Sequence, residues 1–347
     1  MRVVFFLQGQ RVPAARFRGM AVAQALGAAG MDCSLRIPVP SVYGDWLPRF
    51  PTGPWRRLLV PWVALVRLAQ LRDLRPGDVV FFQRPMIELP TVLLERLAAR
   101  GRRSLFDFDD AIFLNWGGRE KLRRTVALVD HVVAGNRFLA EAARAPEKTT
   151  IIPTAVDTNR WAVMPTRDAR GREVVVGWTG LSCNYRHLAL ARAPIARALR
   201  RTGARFVVIS DRPPPRELAD LMPAFVPWRA ESEIEDLARL DVGVMPLPDG
   251  LHERGKCAFK LIQYMALGRP GLASPVGVNC EVVTDGSDGF LPRTDADWEE
   301  QLVRLIENPD LRVQVGGHAR QRVEAAYSVA AVAPRYLEVV NRVASAI

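Results

Sequence analysis

Lys256, Lys260 and Gln263 fall within one stretch, ERGKCAFKLIQYMALGRPGLASPVGVN, running from Glu253 to Asn279. At about 3.6 residues per turn their spacing sets them on one face near the start of a helix predicted over Ala258–Leu267, with Phe259, Ile262 and Ala266 opposite. A helix N-terminus already carries roughly half a positive charge and several unpaired N–H groups, so two lysines there are unfavourable until an anion arrives. The chemistry this suits is phosphate binding. Only four of the 48 basic residues are lysine, and two of those four lie here. A solvated basic helix face is the plain alternative.

Other residues offer the same kind of chemistry. Gly177, Trp178, Thr179 and Gly180 form a predicted loop after the apolar run Glu173–Gly177, whose glycines permit close backbone approach, and Asn184 and Arg186 follow as donors. The segment Ser274–Asn279 follows another apolar strand and offers backbone amides and the Asn279 side chain. Asp109 and Asp110 close the run SLFDFDD, just past the carboxyl end of a predicted strand, where ligands bind in open parallel sheets. An acidic cap on the next element is the alternative for either residue.

Several chemistries lack their signatures. Neither G-x-G-x-x-G nor G-x-x-x-x-G-K-[ST] occurs, which argues against a dehydrogenase and a P-loop ATPase, and no G-x-S-x-G elbow is present. His131, His187, His252 and His318 are scattered, and Cys33, Cys183, Cys257 and Cys280 form no C-x-x-C pair, so no metal ligands are assigned and the thiols are expected to be free in a reduced, cytoplasmic setting. The formal charge of +11 points to an anionic partner without choosing among nucleic acid, lipid and phosphorylated small molecules.

The elements that would position these residues are alternating strands and helices. At 347 residues, with 49% hydrophobic residues and no apolar run near a spanning length of about 20, the chain suits two soluble α/β domains. Strands are expected at Arg2–Leu7, Cys33–Ile37, Asp78–Gln83, Ser104–Asp110, Val126–Val133 and Thr149–Pro153, then a linker over Thr154–Arg172. A second set follows at Glu173–Gly177, Arg205–Ser210, Phe225–Pro227, Val242–Leu247 and Gly271–Ser274. Pro38–Pro54 reads as irregular. Trp55–Leu74 reads as a basic amphipathic helix, interrupted or started at Pro61, which suits either an ordinary domain helix or peripheral contact with an anionic membrane.

The ordered set ARFRGMAVAQALGAAG, LFDFDDAIF, VDHVVAGNRFLAEAA, IIPTAVDTNRW, VVVGWTGLSCNYRHL, DVGVMPLPD and the KCAFKLIQYMALGRPGLASPVGVNCEVVTDGSDGFL run resembles the retaining family-four glycosyltransferases of the GT-B fold. The resemblance implies two Rossmann-like doubly wound domains facing each other across a cleft. Residues 1–165 would bind the acceptor, residues 166–330 a nucleotide diphosphate-sugar, and a final helix within 331–347 would return to the first domain. It also implies that Gln263 stands where the second of two family glutamates holds the ribose, while Gly255 replaces the first and Trp178 an arginine. Lys256 or Glu253 would then take part at the donor sugar, and Asp109 or Asp110 would replace a family histidine.

The expected reaction moves a sugar from a UDP- or GDP-sugar, as substrate and with no cofactor, to a glycan or lipid-linked acceptor. Lys256 and Lys260 would meet the leaving diphosphate, Asn279 donor groups, and Phe225–Trp228, including Trp228, the base. Asp109 or Asp110 would orient or deprotonate the acceptor hydroxyl. A nucleotide-sugar epimerase on the same fold is the first alternative. A basic nucleic-acid binder is the second, disfavoured because the arginines are spread along the chain and no binding module is recognised.

Overall fold

A computed structural model describes residues 1–39, 55–162 and 173–345, with no side-chain description at 55–58. Most of the segment expected to be irregular, the second half of the expected linker, and the side chains of Trp55, Arg56 and Arg57 lie outside the described residues. The chain divides into two compact units, Met1–Ala155 with Val329–Ile347, and Val156–Ser328.

The first unit begins β1 (Arg2–Phe6), α1 (Ala21–Ala28, preceded by a π-helical turn at Ala15–Met20), β2 (Asp32–Arg36), α2 (Trp55–Leu71), β3 (Val79–Gln83) and α3 (Leu93–Ala99). It continues with β4 (Arg103–Phe108), α4 (Gly118–Leu128), β5 (His131–Ala134), α5 (Arg137–Ala143) and β6 (Thr149–Ile151). The second unit holds β7 (Val175–Thr179), α6 (Tyr185–Leu188), α7 (Arg192–Thr202), β8 (Arg205–Ser210), β9 (Ala224–Pro227), α8 (Glu233–Ala238) and β10 (Val242–Met245). Then come α9 (Leu251–Arg254), α10 (Phe259–Ala266), β11 (Gly271–Ala273), α11 (Asn279–Val282), α12 (Asp295–Glu307) and α13 (Pro309–Ala326). The last helix, α14 (Val329–Ser345), belongs to the first unit.

Each unit is built on a parallel sheet, in the order β2-β1-β3-β4-β5-β6 in the first and β11-β10-β7-β8-β9 in the second. A parallel sheet covered on both faces needs strands that are apolar throughout, which is why VVFF in β1 and in β3 is buried at every position. Register sets Phe5 opposite Phe81, with ring centroids 4.6 Å apart. In the first unit α1 and α14 pack together on one face of the sheet, while α2, α3, α4 and α5 contact one another in succession in a second layer. In the second unit Trp178, Tyr185, Ile195, Phe206 and Trp298 belong to one buried cluster under α7 and α12.

Chain order reverses between β1 and β3 in the first sheet and between β7 and β10 in the second. The carboxyl ends of those strands are where an open α/β sheet offers a ligand crevice.

Three expectations about the elements are corrected. Val126–Val133 is not one strand: α4 runs through Leu128 and β5 starts at His131, because Leu122, Thr125 and Val126 bury one helical face. A short apolar run does not distinguish helix from strand by itself. Pro61 lies inside α2, which continues through it. Gly177, Trp178 and Thr179 are the last three residues of β7 rather than a loop, so that of the four only Gly180 lies beyond the strand.

Candidate functional site

The end of β7 and the start of α10 meet at the reversal point of the second sheet. Tyr264 makes this junction: its hydroxyl accepts a hydrogen bond from the Thr179 backbone N–H at 3.1 Å, and its ring fills the space above Gly243 on β10. A Cβ at Gly243 would fall 2.2 Å from that ring, so the close approach of α10 to β10 needs glycine there. Burial, opposed by the Thr179 hydrogen bond, raises the Tyr264 pKa and keeps the phenol neutral.

One turn earlier on α10, the Lys260 ammonium lies 4.3 Å from the centroid of the buried Trp178 ring. A Cβ at Gly180 would fall 2.6 Å from that ammonium, so Gly180, Trp178 and Lys260 form one cluster. A lysine over an indole face gains from the ring quadrupole. It does not escape its surroundings, because burial, with the nearby Lys256 charge adding repulsion, pushes Lys260 down to about 7.

Lys256 does not share the helix. It lies between α9 and α10, its N–H bonded to the Glu253 carbonyl at 3.1 Å, and Ala258 then takes a left-handed conformation with φ 51° before α10 begins. A buried non-glycine residue in that region is strained, and such strain gathers at functional sites. The expected one-face helical pair is therefore a loop lysine and a helix lysine, still close enough for mutual repulsion. Beyond Lys260, α10 is buried nearly all round, Ile262 and Ala266 included.

The buried carboxylate of Glu253 lies 3.0 Å from His187 Nε2 and 3.9 Å from Arg186 Nη2, and Arg186 Nε donates to His187 Nε2 at 3.4 Å. Burial and the Lys256 charge, against the pull of Glu253, push His187 down to about 4, so the ring is neutral at pH 7. Gly250 leaves room for this carboxylate, since a Cβ there would meet Glu253 Oε2 at 2.6 Å.

Gln263 and Trp228 come together through a residue the sequence did not single out. Gln263 Nε2 donates to Glu233 Oε1 at 3.1 Å, and Trp228 Nε1 donates to the same oxygen at 3.2 Å. Asn184 is half-buried at the end of a short turn, Ser182–Asn184, leading from Gly180 into α6. Asn279 stands differently: it opens α11, is buried, and donates its amide to the Ser274 carbonyl at 2.9 Å. Gly177 packs against Leu240, which a Cβ would meet at 2.3 Å.

The first unit carries its own polar edge. Arg84, just after β3, has φ 63° and donates through Nε to Asp109 Oδ1 at 2.7 Å, with Nη2 2.7 Å from the same oxygen and 3.7 Å from Asp110 Oδ2. Beneath them Arg18 forms a two-pronged, fully buried pair with Asp107, at 2.9 and 2.7 Å, and Tyr336 of α14 donates to Asp107 Oδ2 at 2.9 Å. Burial works against the Arg18 charge, yet the facing carboxylate holds its pKa well above the ordinary value. Gln83, at the end of β3, is buried with both amide atoms unpartnered among the described residues.

Comparison with known proteins fits this geometry. Residues 173–308, most of the second unit, match the family model described as Glycosyl transferases group 1. Over the whole chain the structure is similar to that of Anabaena HepE solved in complex with UDP-glucose, with 16% sequence identity, a TM-score of 0.69, and coverage of 99% of this chain and 100% of that one. The chain has the GT-B fold. Two further GT-B structures are similar to it: a glycosyltransferase from Rickettsia africae ESF-5 (13% identity, TM-score 0.69, 100% of this chain and 99% of that one) and sucrose-phosphate synthase from Thermosynechococcus elongatus (15%, 0.68, 100% and 99%). No curated protein matches the sequence.

In this GT-B chain the residues missed by sequence reasoning are Glu233, His187, Arg84 and Tyr264. Each acts through a partner far away in the sequence: Glu233 lies 30 residues from Gln263, and Thr179 lies 85 from Tyr264. The presence of buried-type acids and histidine was visible, but their pairing was not.

Proposed function

We propose that this protein transfers a sugar from a nucleoside diphosphate-sugar, a UDP- or GDP-sugar, to a hydroxyl of a glycan or lipid-linked acceptor. The observation carrying this reading is the cluster of Lys260, Trp178 and Gly180, with Lys256 nearby, at the reversal point of the second sheet. It lies inside the segment matching the glycosyl transferases group 1 model. A cationic, partly desolvated corner with glycine access suits a diphosphate, whose charge grows as the glycosidic bond breaks.

In this reading Lys260 and Lys256 neutralise the leaving diphosphate in place of a metal, aided by amides at the start of α10 and after β7. The ribose is met where Gln263 and Trp228 hold Glu233, and the base lies along the end of β9 toward Trp228. Glu253, oriented by the neutral His187, faces the donor sugar. Asn184 and Thr179 line the entry, and Asn279 shapes the neighbouring loop through its bond to Ser274. In the first unit Asp109 or Asp110 orients the acceptor hydroxyl or takes its proton, with Arg84 holding both in place. Retention of configuration, cytoplasmic work at an anionic membrane, and a role in cell-surface polysaccharide or glycoconjugate synthesis complete the proposal, supported by the resemblance of the sequence motifs.

The test is thermal unfolding against a panel of nucleoside diphosphates and their sugars, followed by turnover of the stabilising donor with and without EDTA. The expected result is an upward shift with UDP or GDP, abolished in Lys260→Ala, and EDTA-insensitive turnover. Absence of a shift with every nucleoside diphosphate at millimolar concentration overturns the reading.

A further inference from the structure

Large apolar side chains are unevenly exposed. Of sixteen strongly exposed ones among the described residues, seven fall between Trp62 and Trp116, all in the first unit. Five of them lie on the exposed sides of α2 and α3. On α2, Trp62, Leu65 and Leu68 run along the face away from the buried Val63 and Arg67, and the exposed Arg72 follows in the turn after the helix. On α3, Leu93, Arg96 and Leu97 occupy positions i, i+3 and i+4, all exposed, while Leu94 and Ala98 are buried, and the exposed Arg100 follows just past the helix end.

The two helices are neighbours, since α2 packs on α3. The patch also extends to the loop after β4, where Trp116 is 82% exposed. Gly117, with φ 67°, comes so close to Pro90 that a Cβ would lie 2.6 Å from its ring, which sets Trp116 beside the turn carrying Leu89. Leucines and two tryptophans interleaved with Arg72, Arg96 and Arg100, against the exposed acids Asp73 and Glu88, make an apolar surface with a mainly basic rim, denser in large apolar side chains than an ordinary surface.

We propose that the outer face of α2 and α3, with Trp116, seats on an anionic lipid bilayer. Tryptophan belongs at a bilayer interface, leucine below it, and arginine at anionic headgroups, each basic residue near the surface contributing to the attraction. A second copy is a poor occupant: a twofold contact would bring Arg72, Arg96 and Arg100 of both patches into one interface. The loops after β3 and β4 carry Leu89 and Trp116 as well as Arg84, Asp109 and Asp110, so the lipid face is continuous in sequence with the proposed acceptor residues. The inference takes up the membrane half of the proposed function and assigns it a surface, independently of glycosyl transfer.

The test is co-sedimentation of the full chain with phosphatidylcholine vesicles and with vesicles carrying about one-third phosphatidylglycerol. Wild type is expected to bind the anionic vesicles. Leu65→Ser/Leu93→Ser/Trp116→Ser and, separately, Arg96→Glu/Arg100→Glu are expected to lose at least about tenfold in partitioning, with melting temperature and nucleoside-diphosphate stabilisation unchanged. Wild type that ignores anionic vesicles, variants that bind as well as wild type, or light scattering that shows the apolar variant dissociating a dimer overturns the proposal. Loss of vesicle binding with donor stabilisation intact separates this surface from the donor reading, and donor failure with vesicle binding intact does the reverse.

Discussion

The carboxyl edges of the two sheets solve opposite electrostatic problems with similar parts. Each has a non-glycine residue held in the left-handed region, Arg84 in the first unit and Ala258 in the second. At the first edge the cation is answered on the spot: Arg84 meets Asp109 at 2.7 Å and Asp110 at 3.7 Å, above the buried Arg18–Asp107 pair. At the second edge two lysines raise each other's electrostatic cost, and Lys260 pays for its burial with a pKa near 7. On the proposed reading the first edge, its arginine and carboxylates paired, suits a neutral hydroxyl. On the same proposed reading, the second becomes favourable when a diphosphate arrives.

This contrast can be broken from either side. The largest expected effect is on turnover: Asp109→Asn and Asp110→Asn, made separately, should identify one residue whose loss lowers kcat about 100- to 1000-fold, with donor affinity unchanged by calorimetry. A drop in donor affinity instead would erase the division of labour between the edges. Next comes Lys256→Ala/Lys260→Ala, expected to weaken UDP or GDP binding about 100-fold, since two charge-assisted contacts are removed. The repulsion relieved between the lysines opposes the loss of the Lys260–Trp178 contact, so the same variant should melt close to wild type.

A smaller effect follows from pH. Lys260 has a folded pKa of about 7, far below its ordinary value, so the free protein releases this proton as pH rises through 7. Anion binding favours the protonated form. Affinity is therefore full below pH 7 and falls above it by at most about tenfold per pH unit, as proton uptake is added to binding. Lys260→Ala should bind weakly with no such slope between pH 7 and 9, read by calorimetry. The smallest effect tests the first edge: Tyr336→Phe removes the phenol bond to Asp107 and should cost about 1 to 2 kcal/mol in denaturant unfolding, because Arg18 still pairs the carboxylate.

Much of the architecture could be read from the chain because parallel strands buried on both faces announce themselves as uninterrupted apolar runs, as VVFF does in β1 and β3. Lys260 beside Gly180 was legible for a related reason: the end of β7 and the helix that follows β10, three strands later, converge at the reversal of strand order. What escaped was decided by side-chain partners. The left-handed Ala258 delays the helix and leaves Lys256 outside it, a turn that no periodicity announces. Trp178 looked like a loop residue but fills the core beneath Lys260. Glu233 gives its significance away only once Gln263 and Trp228 are seen to share its oxygen.

The central claim is that the second edge takes a nucleoside diphosphate through the ionised Lys260. The direct measurement is calorimetric titration of wild type and Lys260→Ala with UDP and with GDP at pH 8, each in two buffers of different ionisation enthalpy. Wild type is predicted to bind one of them with net uptake of close to one proton, and Lys260→Ala to bind far more weakly without uptake. Equal affinity in the two proteins, or binding by wild type with no proton uptake, would contradict it.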